Sequence, residues 1–463
     1  MIETNYISFR DKVARVVKKE SFYYRYIFNQ YKAEYDHLMQ SGLYIELIQK
    51  GLLIQHQEIE IDTKDPKIYK LLLPIQIPFQ SYPFEWSFIQ WKKAISTYLK
   101  INNIAIKYGM ILKDASPYNF YLQSGKAIMF DTSSFIFFKE NDKWIAYRQF
   151  CEEFLGPFAL MYYNGAKWSK LTIANLRGLP LNFISKQLST KSWFNLTILL
   201  NIHLHAKYLG KKEIFEVQSY SIKGFSIKKI KSLFTIIFNT VSKWNKPYQF
   251  NQHWVGYYEN DIESQEYLSD KKRIISEWLE IIKPNSVLDL AANIGDFSFI
   301  AANYAEKVIA LDYDEACVDE IESEIKKNKI DNITTLVCNL VEPSPNIGLL
   351  NKEIDGIYKR LKCEMVFALA ITHHLLISNS ISFKQLSELI DKFSSKYVIV
   401  EFIDIQDIKV KHLMKNLNVN ESFYNESAFI DAFLKKFIVK QEKKLGNSKR
   451  KLFLLQKKDH ENI

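Results

Sequence analysis

The stretch Val287-Leu-Asp-Leu-Ala-Ala-Asn-Ile-Gly-Asp-Phe-Ser298 decides the fold of the C-terminal part of the chain. Its apolar start predicts a buried strand that delivers Asp289, after which a turn reaches Gly295 and a helix begins near Asp296. Ligands of open α/β sheets bind beside the carboxyl ends of the strands, where the strand order reverses. We therefore expect a ligand at this turn. Gly295 would let the backbone pass close to that ligand, because a side chain there would collide with it.

From residue 286 onward, strand-like and helix-like segments alternate along the chain. The predicted strands are 287–290, 308–312, 333–338, 365–371 and 397–402. Such alternation indicates a parallel sheet with right-handed crossovers. The end of the chain differs, because the strand-like segments 437–440 and 451–455 flank the turn signal Gly446-Asn447. The sequence therefore predicts a doubly wound α/β domain that is closed by an antiparallel hairpin.

A second acidic residue, Asp312, ends the second predicted strand, 23 residues after Asp289. This separation suits one strand–helix–strand step. A carboxylate at this place can accept charge-assisted hydrogen bonds from both hydroxyls of a ribose. Asn339 follows the third strand, where its side chain could reach the amino group of an adenine. The polar residues at the ends of the second and third predicted strands therefore predict a cofactor that contains a nucleoside.

These features resemble the class I S-adenosylmethionine-dependent methyltransferases, and the resemblance covers residues 281–463. It implies S-adenosylmethionine as the cofactor and a seven-stranded, Rossmann-like sheet. It also implies a set of cofactor-binding residues: Asp289, Ala291, Asn293, Gly295, Asp312, Tyr313, Asn339, Leu340 and Ala370. The first motif of the family carries glycines where this chain has Ala291 and Asn293, and Asn339 replaces the more usual aspartate. The alternative is a nicotinamide-binding Rossmann domain, against which the missing third glycine and the terminal hairpin argue.

Three candidates for catalysis lie on or just after the fourth and fifth predicted strands. The fourth strand leads into the pair His373-His374, which in methyltransferases of this kind lies beside the sulfonium and the acceptor. Either imidazole could remove a proton from a hydroxyl or amine, because histidine titrates near neutrality. The alternative is a histidine that caps the loop or shapes the pocket. Glu401 is the other candidate base or acceptor-binding residue, unless it is a solvated strand end.

A segment upstream of the first strand is predicted to cover the cofactor. It comprises Trp254-Val-Gly-Tyr-Tyr258 and, further along the chain, Tyr267 and Lys271. The resemblance implies that this tyrosine and this lysine hold the carboxylate of the methionine moiety.

The N-terminal half carries a second pattern. Asp114 and Asn119 are five residues apart, and Asp131 follows twelve residues later at the end of an apolar run. This spacing resembles the catalytic loop and the metal-binding aspartate of the protein-kinase-like fold. It implies Asp114 as the phosphotransfer base, with Asn119 and Asp131 as magnesium ligands if the domain is active. A glycine-rich loop and a Val-Ala-x-Lys strand are missing, so we expect the fold without phosphoryl transfer and without bound Mg-ATP. The alternative is an unrelated α/β domain in which these side chains cap turns.

The whole chain also resembles a bacterial methyltransferase family that is described as nodulation-protein-like. Four stretches carry this resemblance: 34–44, 81–87, 112–116 and 146–150. It implies that the acceptor belongs to a glycan or to a precursor of a cell-surface polysaccharide.

Length and composition predict a soluble protein of two domains. The chain has 463 residues, of which 47% are hydrophobic and 25% charged, and this length exceeds one ordinary core. We expect an α+β kinase-like domain over 1–210, a helical linker with the cofactor-covering segment over 211–280, and the methyltransferase domain over 281–463. The four cysteines are far apart, which argues against a zinc site or a disulfide framework. The start of the chain lacks the features of a leader and no apolar run is long enough for a membrane span, so we expect a cytoplasmic location.

The charge of the chain raises the question of anionic partners. The formal net charge is +10, but no basic helix is interleaved with stacking aromatic residues, so we expect dispersed surface lysines and no nucleic acid partner. The stretch 227–244 combines an apolar helix face with several lysines. Such a helix either lies on an anionic membrane surface, as a weak association, or packs on a neighbouring domain.

Two elements of the N-terminal half are predicted from local pattern. The stretch 70–78 contains two prolines and is predicted to form short edge strands. The stretch 88–108 has the apolar spacing of a helix.

Three functions remain open from the sequence. The leading hypothesis is methyl transfer to a small-molecule or glycan acceptor, with the N-terminal domain holding that acceptor. The second is a bifunctional kinase–methyltransferase that requires Mg-ATP. The third is a non-catalytic binding module with a degenerate cofactor pocket. The sequence does not indicate the oligomeric state.

Overall fold

A computed structural model describes residues 10–20, 22–60, 65–210, 224, 226–245, 265–417 and 423–458. The chain divides into two compact units. The first comprises Met1–Gln249 and Asn346–Asp355, and the second comprises Phe250–Pro345 and Gly356–Ile463. The boundary therefore falls inside the region predicted to link two domains.

The first unit begins with a four-stranded antiparallel sheet. Its strands are β1 (Ala14–Lys19), β2 (Phe22–Phe28), β3 (His56–Ile59) and β4 (Ile68–Pro74), in the order β1-β2-β4-β3. Two helices separate β2 from β3: α1 (Lys32–Gln40) and α2 (Leu43–Gln49). They are two helices rather than one because Gly42 between them takes a left-handed backbone conformation.

Strand β4 lies inside this sheet, so the prediction of edge strands over 70–78 is wrong. Proline lacks the N–H that a central strand needs. Pro74 is tolerated because it is the last residue of β4. The backbone N–H of Ile75 resumes the hydrogen bonding with the carbonyl of Gln55, at 2.9 Å.

The rest of the first unit is largely helical and surrounds two small antiparallel sheets. The prediction of a helix over 88–108 is confirmed by α3 (Phe88–Ala105) and the 3₁₀ turn that continues it to Tyr108. The small sheets pair β5 (Met110–Leu112) with β8 (Phe135–Phe137), and β6 (Phe120–Gln123) with β7 (Lys126–Met129). The following helices are α4 (Tyr147–Gln149), α5 (Gly156–Asn164), α6 (Leu181–Gln187), α7 (Leu196–Ile198) and α8 (His205–Gly210), with π-helical segments at Phe150–Leu155 and Leu199–Leu204.

Helix α9 (Ile227–Lys243) packs into the core of the first unit. Its apolar face is fully buried and consists of Ile230, Phe234, Ile237 and Val241. The ring of Phe234 meets Trp144 edge-on, with 4.8 Å between the ring centroids. Of the two hypotheses for the stretch 227–244, the structure supports the one in which the helix packs within the protein. Because the apolar face is buried within the protein, it is not available to a membrane, and no helix of the described residues is long and apolar enough to cross one.

The second unit is a seven-stranded sheet with helices on its faces. Its strands are β9 (Ser286–Leu290), β10 (Lys307–Asp312), β11 (Ile333–Val337), β12 (Cys363–Ala368), β13 (Ser394–Ile403), β14 (Phe437–Lys444) and β15 (Arg450–Lys457). The strand order is β11-β10-β9-β12-β13-β15-β14, in which the first five are parallel and β15 is antiparallel to both neighbours. The sheet thus has the parallel strands and the closing hairpin that the alternating segments predict.

One helix precedes the strands of the second unit and the others connect them. They are α10 (Gln265–Ile282), α11 (Asp296–Ala301), α12 (Glu315–Asn328), α13 (Ile357–Arg360), α14 (Phe383–Phe393), α15 (Ile408–Leu417) and α16 (Glu426–Leu434), with a π-helical segment at His374–Ser378. Helix α10 lies in the region predicted as a linker, but Ile275, Trp278 and Leu279 on it are buried in the core of this unit. The predicted linker is therefore divided between the two cores.

The packing of α9 predicts different costs for two neighbouring substitutions. Phe234→Ala should lower the free energy of unfolding by about 3–5 kcal/mol, because it leaves a cavity in a close-packed core. Ile236→Ala, on the exposed side of the same helix, should change it by no more than about 0.5 kcal/mol. Urea unfolding monitored by circular dichroism measures both, and similar values for the two variants would contradict the packing of this helix.

Candidate functional site

The predicted cofactor residues meet at one edge of the second unit's sheet. Strands β9, β10 and β12 are parallel neighbours, so their carboxyl ends lie side by side. The chain order reverses between β9 and β12, because β10 follows β9 on one side whereas β12 flanks it on the other. This is the switch point at which open α/β sheets bind ligands.

The loop after β9 keeps a left-handed backbone at the positions where the glycines of the motif are missing. Ala291 has φ 58°, Asn293 has φ 51° and Gly295 has φ 90°. Left-handed backbone costs residues with a Cβ atom roughly 1–2 kcal/mol, and asparagine tolerates it better than alanine. After β12, Ala370 repeats this conformation with φ 54°. The loops therefore keep the path that glycine favours, although glycine remains at only one of these four positions.

Asp312 holds this loop in place. One carboxylate oxygen accepts a hydrogen bond from the backbone N–H of Asn293 at 2.8 Å, and the other accepts one from the N–H of Asp314 at 2.8 Å. The side chain is nearly buried, and this burial raises the pKa of Asp312 to about 6. Each carboxylate oxygen has a further lone pair, so the group can still accept hydrogen bonds from a ligand.

Gly295 is required for a reason that differs from the prediction. A Cβ atom at this position would lie 3.0 Å from the side chains of Ile321 and Phe299. These belong to helix α12 and helix α11, so a side chain at residue 295 would collide with the packing of two helices. The close approach that glycine permits here is internal to the protein.

Asp289 on β9 stabilises the helix that follows the loop. It is 2% exposed, and its carboxylate accepts a hydrogen bond from the hydroxyl of Ser298 in the first turns of α11, at 2.6 Å. Burial raises the pKa of Asp289 to about 7. The side chain thus fixes the helix that follows the loop, and its described hydrogen bond is made within the protein.

The remaining predicted cofactor residues surround the end of the adjacent strands. Tyr313 follows Asp312 and is 54% exposed. The amide of Asn339 forms a local turn: its oxygen accepts from the N–H of Val341, and its nitrogen donates to Glu342, both at 3.2 Å. Leu340 is buried beside it. This edge therefore presents one exposed aromatic ring and one amide that is already hydrogen-bonded.

The histidine pair lies in a buried helical turn after β12. The two rings are 4.0 Å apart between centroids, and His373 is 2% exposed. Burial, together with the neighbouring His374 and the positive charge of Arg450, lowers the pKa of His373 well below its usual value. Burial likewise lowers the pKa of His374 to about 4. Both imidazoles are therefore neutral near pH 7, and their lowered pKa also makes them weak bases.

Glu401 is not a solvated strand end. It is fully buried, its carboxylate accepts from Lys271 at 2.7 Å, and it accepts from the hydroxyl of Tyr267 at 2.6 Å. Burial alone would raise the pKa of Glu401, but Lys271 and Arg450 outweigh it and lower the pKa. A paired carboxylate of low pKa is a weak base, so this environment does not suit the predicted role of general base.

The same contacts do not suit the prediction that Tyr267 and Lys271 hold a methionine carboxylate. Both side chains lie on α10, where Lys271 has no exposed surface and pairs with a carboxylate of the protein itself. The other part of the predicted covering segment, 254–258, lies outside the described residues.

Arg450 completes this buried network and was missed by sequence reasoning. Its guanidinium donates to the carboxylate of Asp407 at 3.0 Å and to the hydroxyl of Tyr267 at 3.2 Å, and it lies 3.7 Å from Glu401. Arginine is suited to such a place because its planar group makes several directed hydrogen bonds. The only signal in the sequence is its position at the start of a hairpin strand, which is too common to be diagnostic.

The kinase-like pattern of the first unit does bring its residues together. The amide of Asn119 donates to the carboxylate of Asp114 at 2.9 Å. Asp131 is nearly buried, and its oxygens accept from the backbone N–H and hydroxyl of Ser133 and from the hydroxyl of Ser134. The guanidinium of Arg25, on β2, donates to the same carboxylate. Asp131 thus has a cationic partner from the chain itself, which fits the expectation that the domain does not bind Mg-ATP.

Arg25 is a second residue that sequence reasoning missed. It is nearly buried, and it interrupts the aromatic strand Phe22–Phe28 as its single charged residue. A charge at a buried position requires a partner. That rule could have identified Arg25 as one half of an ion pair, although not Asp131 as the other half.

No family model matches the chain. It is similar to nodulation protein NoeA of Rhizobium meliloti (strain 1021), with 26% identity over 427 residues that cover 89% of each protein. Among solved structures, the N-methyltransferase NodS from Bradyrhizobium japonicum WM9 matches 42% of this chain and 99% of its own, with 7% identity and a TM-score of 0.32. Magnesium protoporphyrin IX methyltransferase (ChlM) from Synechocystis PCC 6803 with bound SAH matches 45% of this chain and 93% of its own, with 14% identity and a TM-score of 0.33.

The buried network predicts that Glu401 stabilises the fold and that its substitution destabilises the protein strongly. Glu401→Gln should lower the free energy of unfolding by about 3–5 kcal/mol, because the buried cation of Lys271 loses its opposing charge. The matched control is Glu426→Gln, whose partner Lys451 is 32% exposed. Surface pairs contribute about 0–1 kcal/mol, so the control should unfold nearly as the original protein does. Equal losses in urea titrations of the two variants would contradict the buried pairing.

Proposed function

We propose that the protein is an S-adenosylmethionine-dependent methyltransferase and that the second unit carries the reaction. The observation that carries this proposal is the loop after β9, which Asp312 fixes in a left-handed path at the switch point of the sheet. A strained backbone persists only where its surroundings hold it, and such strain is concentrated at functional sites. The strand order with its antiparallel closing hairpin supports the same proposal.

The residues at this edge suit the parts of S-adenosylmethionine. Asp312 would accept hydrogen bonds from the ribose hydroxyls through its remaining lone pairs. The exposed ring of Tyr313 would pack against the adenosine, and Asn339 with Leu340 would border the adenine. The left-handed residues Ala291 and Asn293 would turn the backbone around the methionine moiety, and Ala370 would border the sulfonium side. Asp289 supports this site without touching the ligand.

Methyl transfer requires little chemistry from these residues. The bound cofactor supplies an activated methyl group on its sulfonium, so the protein mainly aligns the acceptor for in-line displacement. His373 and His374 remain the candidate bases of the site, but burial lowers the pKa of both imidazoles, so they would act mainly by positioning a hydroxyl or amine acceptor. Glu401 would act through structure, by holding α10 against the sheet. The degenerate glycines therefore do not imply a non-catalytic module, because the backbone path that they would provide is retained.

The acceptor is proposed at the level of its class. The chain-long likeness to a nodulation protein, together with the resemblance noted for the whole sequence, supports a hydroxyl on a glycan or on a cell-surface polysaccharide precursor. A small molecule with an amine is the alternative.

For the first unit, we propose a kinase-like layout without phosphoryl transfer. Asp114 and Asn119 meet as a catalytic loop would bring them together, and a hairpin then leads to Asp131. Arg25 neutralises Asp131 where an active kinase would bind magnesium. This unit would hold the acceptor, and the bifunctional hypothesis loses its metal ligand.

The test is binding of S-adenosylmethionine by calorimetric titration, which requires no knowledge of the acceptor. Asp312→Asn should weaken binding roughly ten- to hundredfold, the effect of losing about 1.5–3 kcal/mol from hydrogen bonds to a charged group. The matched control is Asp314→Asn, which keeps a side chain able to cap α12 and should bind as the original protein does. Absence of binding by the folded original protein would end the proposal.

The raised pKa of Asp312 predicts how this binding depends on pH. The ribose requires the ionised carboxylate, so affinity should be constant above about pH 7 and decline by up to tenfold per unit as the pH falls below about 6. Asp289 also titrates in this range, but only the decline that belongs to Asp312 should disappear in Asp312→Asn. A variant that keeps the full pH dependence would show that the ribose contact is misplaced.

A further inference from the structure

The helical run 196–210 of the first unit exposes an apolar stripe. Helix α7, the π-helical segment Leu199–Leu204 and α8 follow one another directly in this run. Its exposed apolar residues recur every fourth position, and two aromatic residues precede them. We name this set the 193–208 stripe; it consists of Trp193, Phe194, Leu196, Leu200, Leu204 and Tyr208.

The stripe differs from scattered apolar residues, which are common on protein surfaces. The opposite face of the same helical run is already buried, through Ile198, Ile202 and Ala206. A helix that is apolar on both faces usually buries both of them. Phe194 is 92% exposed, so the outer face carries apolar surface that the first unit does not cover.

The stripe is held in a fixed shape. The ring of Trp193 stacks on the imidazole of His203 with 4.0 Å between centroids and an angle of 8° between the rings. His203 in turn hydrogen-bonds to the hydroxyls of Ser185 and Ser192, at 2.8 and 2.9 Å. The aromatic end of the stripe is therefore built into the fold rather than loosely attached.

The segment that carries the stripe has charged residues of one sign only. Residues 154–210 contain six lysines and arginines and no aspartate or glutamate. Lys186, Lys191 and Lys207 in this region are exposed. The neighbouring helix α9 is also free of acidic residues, and it touches the run through a hydrogen bond of 2.7 Å between the hydroxyls of Thr197 and Thr240. The stripe is thus carried by a segment whose exposed charges are positive.

We propose that the 193–208 stripe docks the protein on an anionic lipid bilayer. Leucine and phenylalanine would enter the boundary of the acyl chains, tryptophan and tyrosine suit the interface because they have an apolar body and a polar tip, and the lysines would meet the lipid phosphates. A second copy of the chain fits less well, because a two-fold interface brings the same basic residues face to face. The proposal is independent of the proposed methyltransferase activity.

The experiment measures binding of the full chain to vesicles by flotation. The original protein should bind vesicles of phosphatidylcholine mixed with phosphatidylglycerol, and bind far less to phosphatidylcholine alone. Binding should also fall in 1 M salt, where the screening length shrinks to about 3 Å. The double variant Leu200→Ser and Leu204→Ser should reduce binding roughly tenfold or more, because it removes apolar carbons from the inserted face.

The matched control is the double variant Ile281→Ser and Ile408→Ser, which changes two exposed apolar residues of the second unit and should bind vesicles as the original does. All four positions are exposed, so each variant should keep the original melting curve. The proposal is overturned if the original protein does not bind the anionic vesicles or if the stripe variant binds them equally well. It is also overturned if the stripe variant turns a dimer into a monomer in light scattering while its vesicle binding is unchanged.

Discussion

The carboxylate of Asp312 is the interaction on which the candidate site of the second unit depends. Its two oxygens accept the backbone N–H groups of Asn293 and Asp314, and so tie the loop after β9 to the start of α12. Without this tie, the left-handed conformation of Ala291 and Asn293 would be free to relax. The group that shapes the loop is also the group proposed to bind the ribose, so loop shape and cofactor binding should fail together when it is changed.

The sheet of the second unit could be predicted because its central strands are short apolar runs that alternate with helix-like segments. The contacts of its site were less predictable. The sequence predicts that Gly295 makes room for a ligand, whereas a Cβ atom at this position would meet the side chain of Ile321. Glu401 reads as a base at a strand end, because its partners Lys271 and Arg450 come from a distant helix and a distant strand. Local spacing indicates that a residue matters but does not reveal which distant group it meets.

In the first unit, too, local sequence patterns predict which residues matter but not which distant residues they contact. The spacing of Asp114 and Asn119 predicts their contact correctly, but nothing near Asp131 indicates that Arg25 would occupy its carboxylate. Helix α9 attracts attention because it is basic and amphipathic, yet its apolar face is buried. The exposed apolar surface lies instead on the helical run 196–210, where a π-helical segment and two short helices obscure the periodicity in the sequence. Amphipathic pattern alone cannot tell a buried face from an exposed one.

A crystal structure of the full chain with S-adenosylhomocysteine tests the central claim most directly. The account predicts that the ribose hydroxyls lie within hydrogen-bonding distance of the Asp312 carboxylate, while the loop keeps positive φ at Ala291 and Asn293. A ligand bound away from the carboxyl ends of β9 and β10 would contradict the account. So would a ribose held by other side chains while Asp312 binds only the loop.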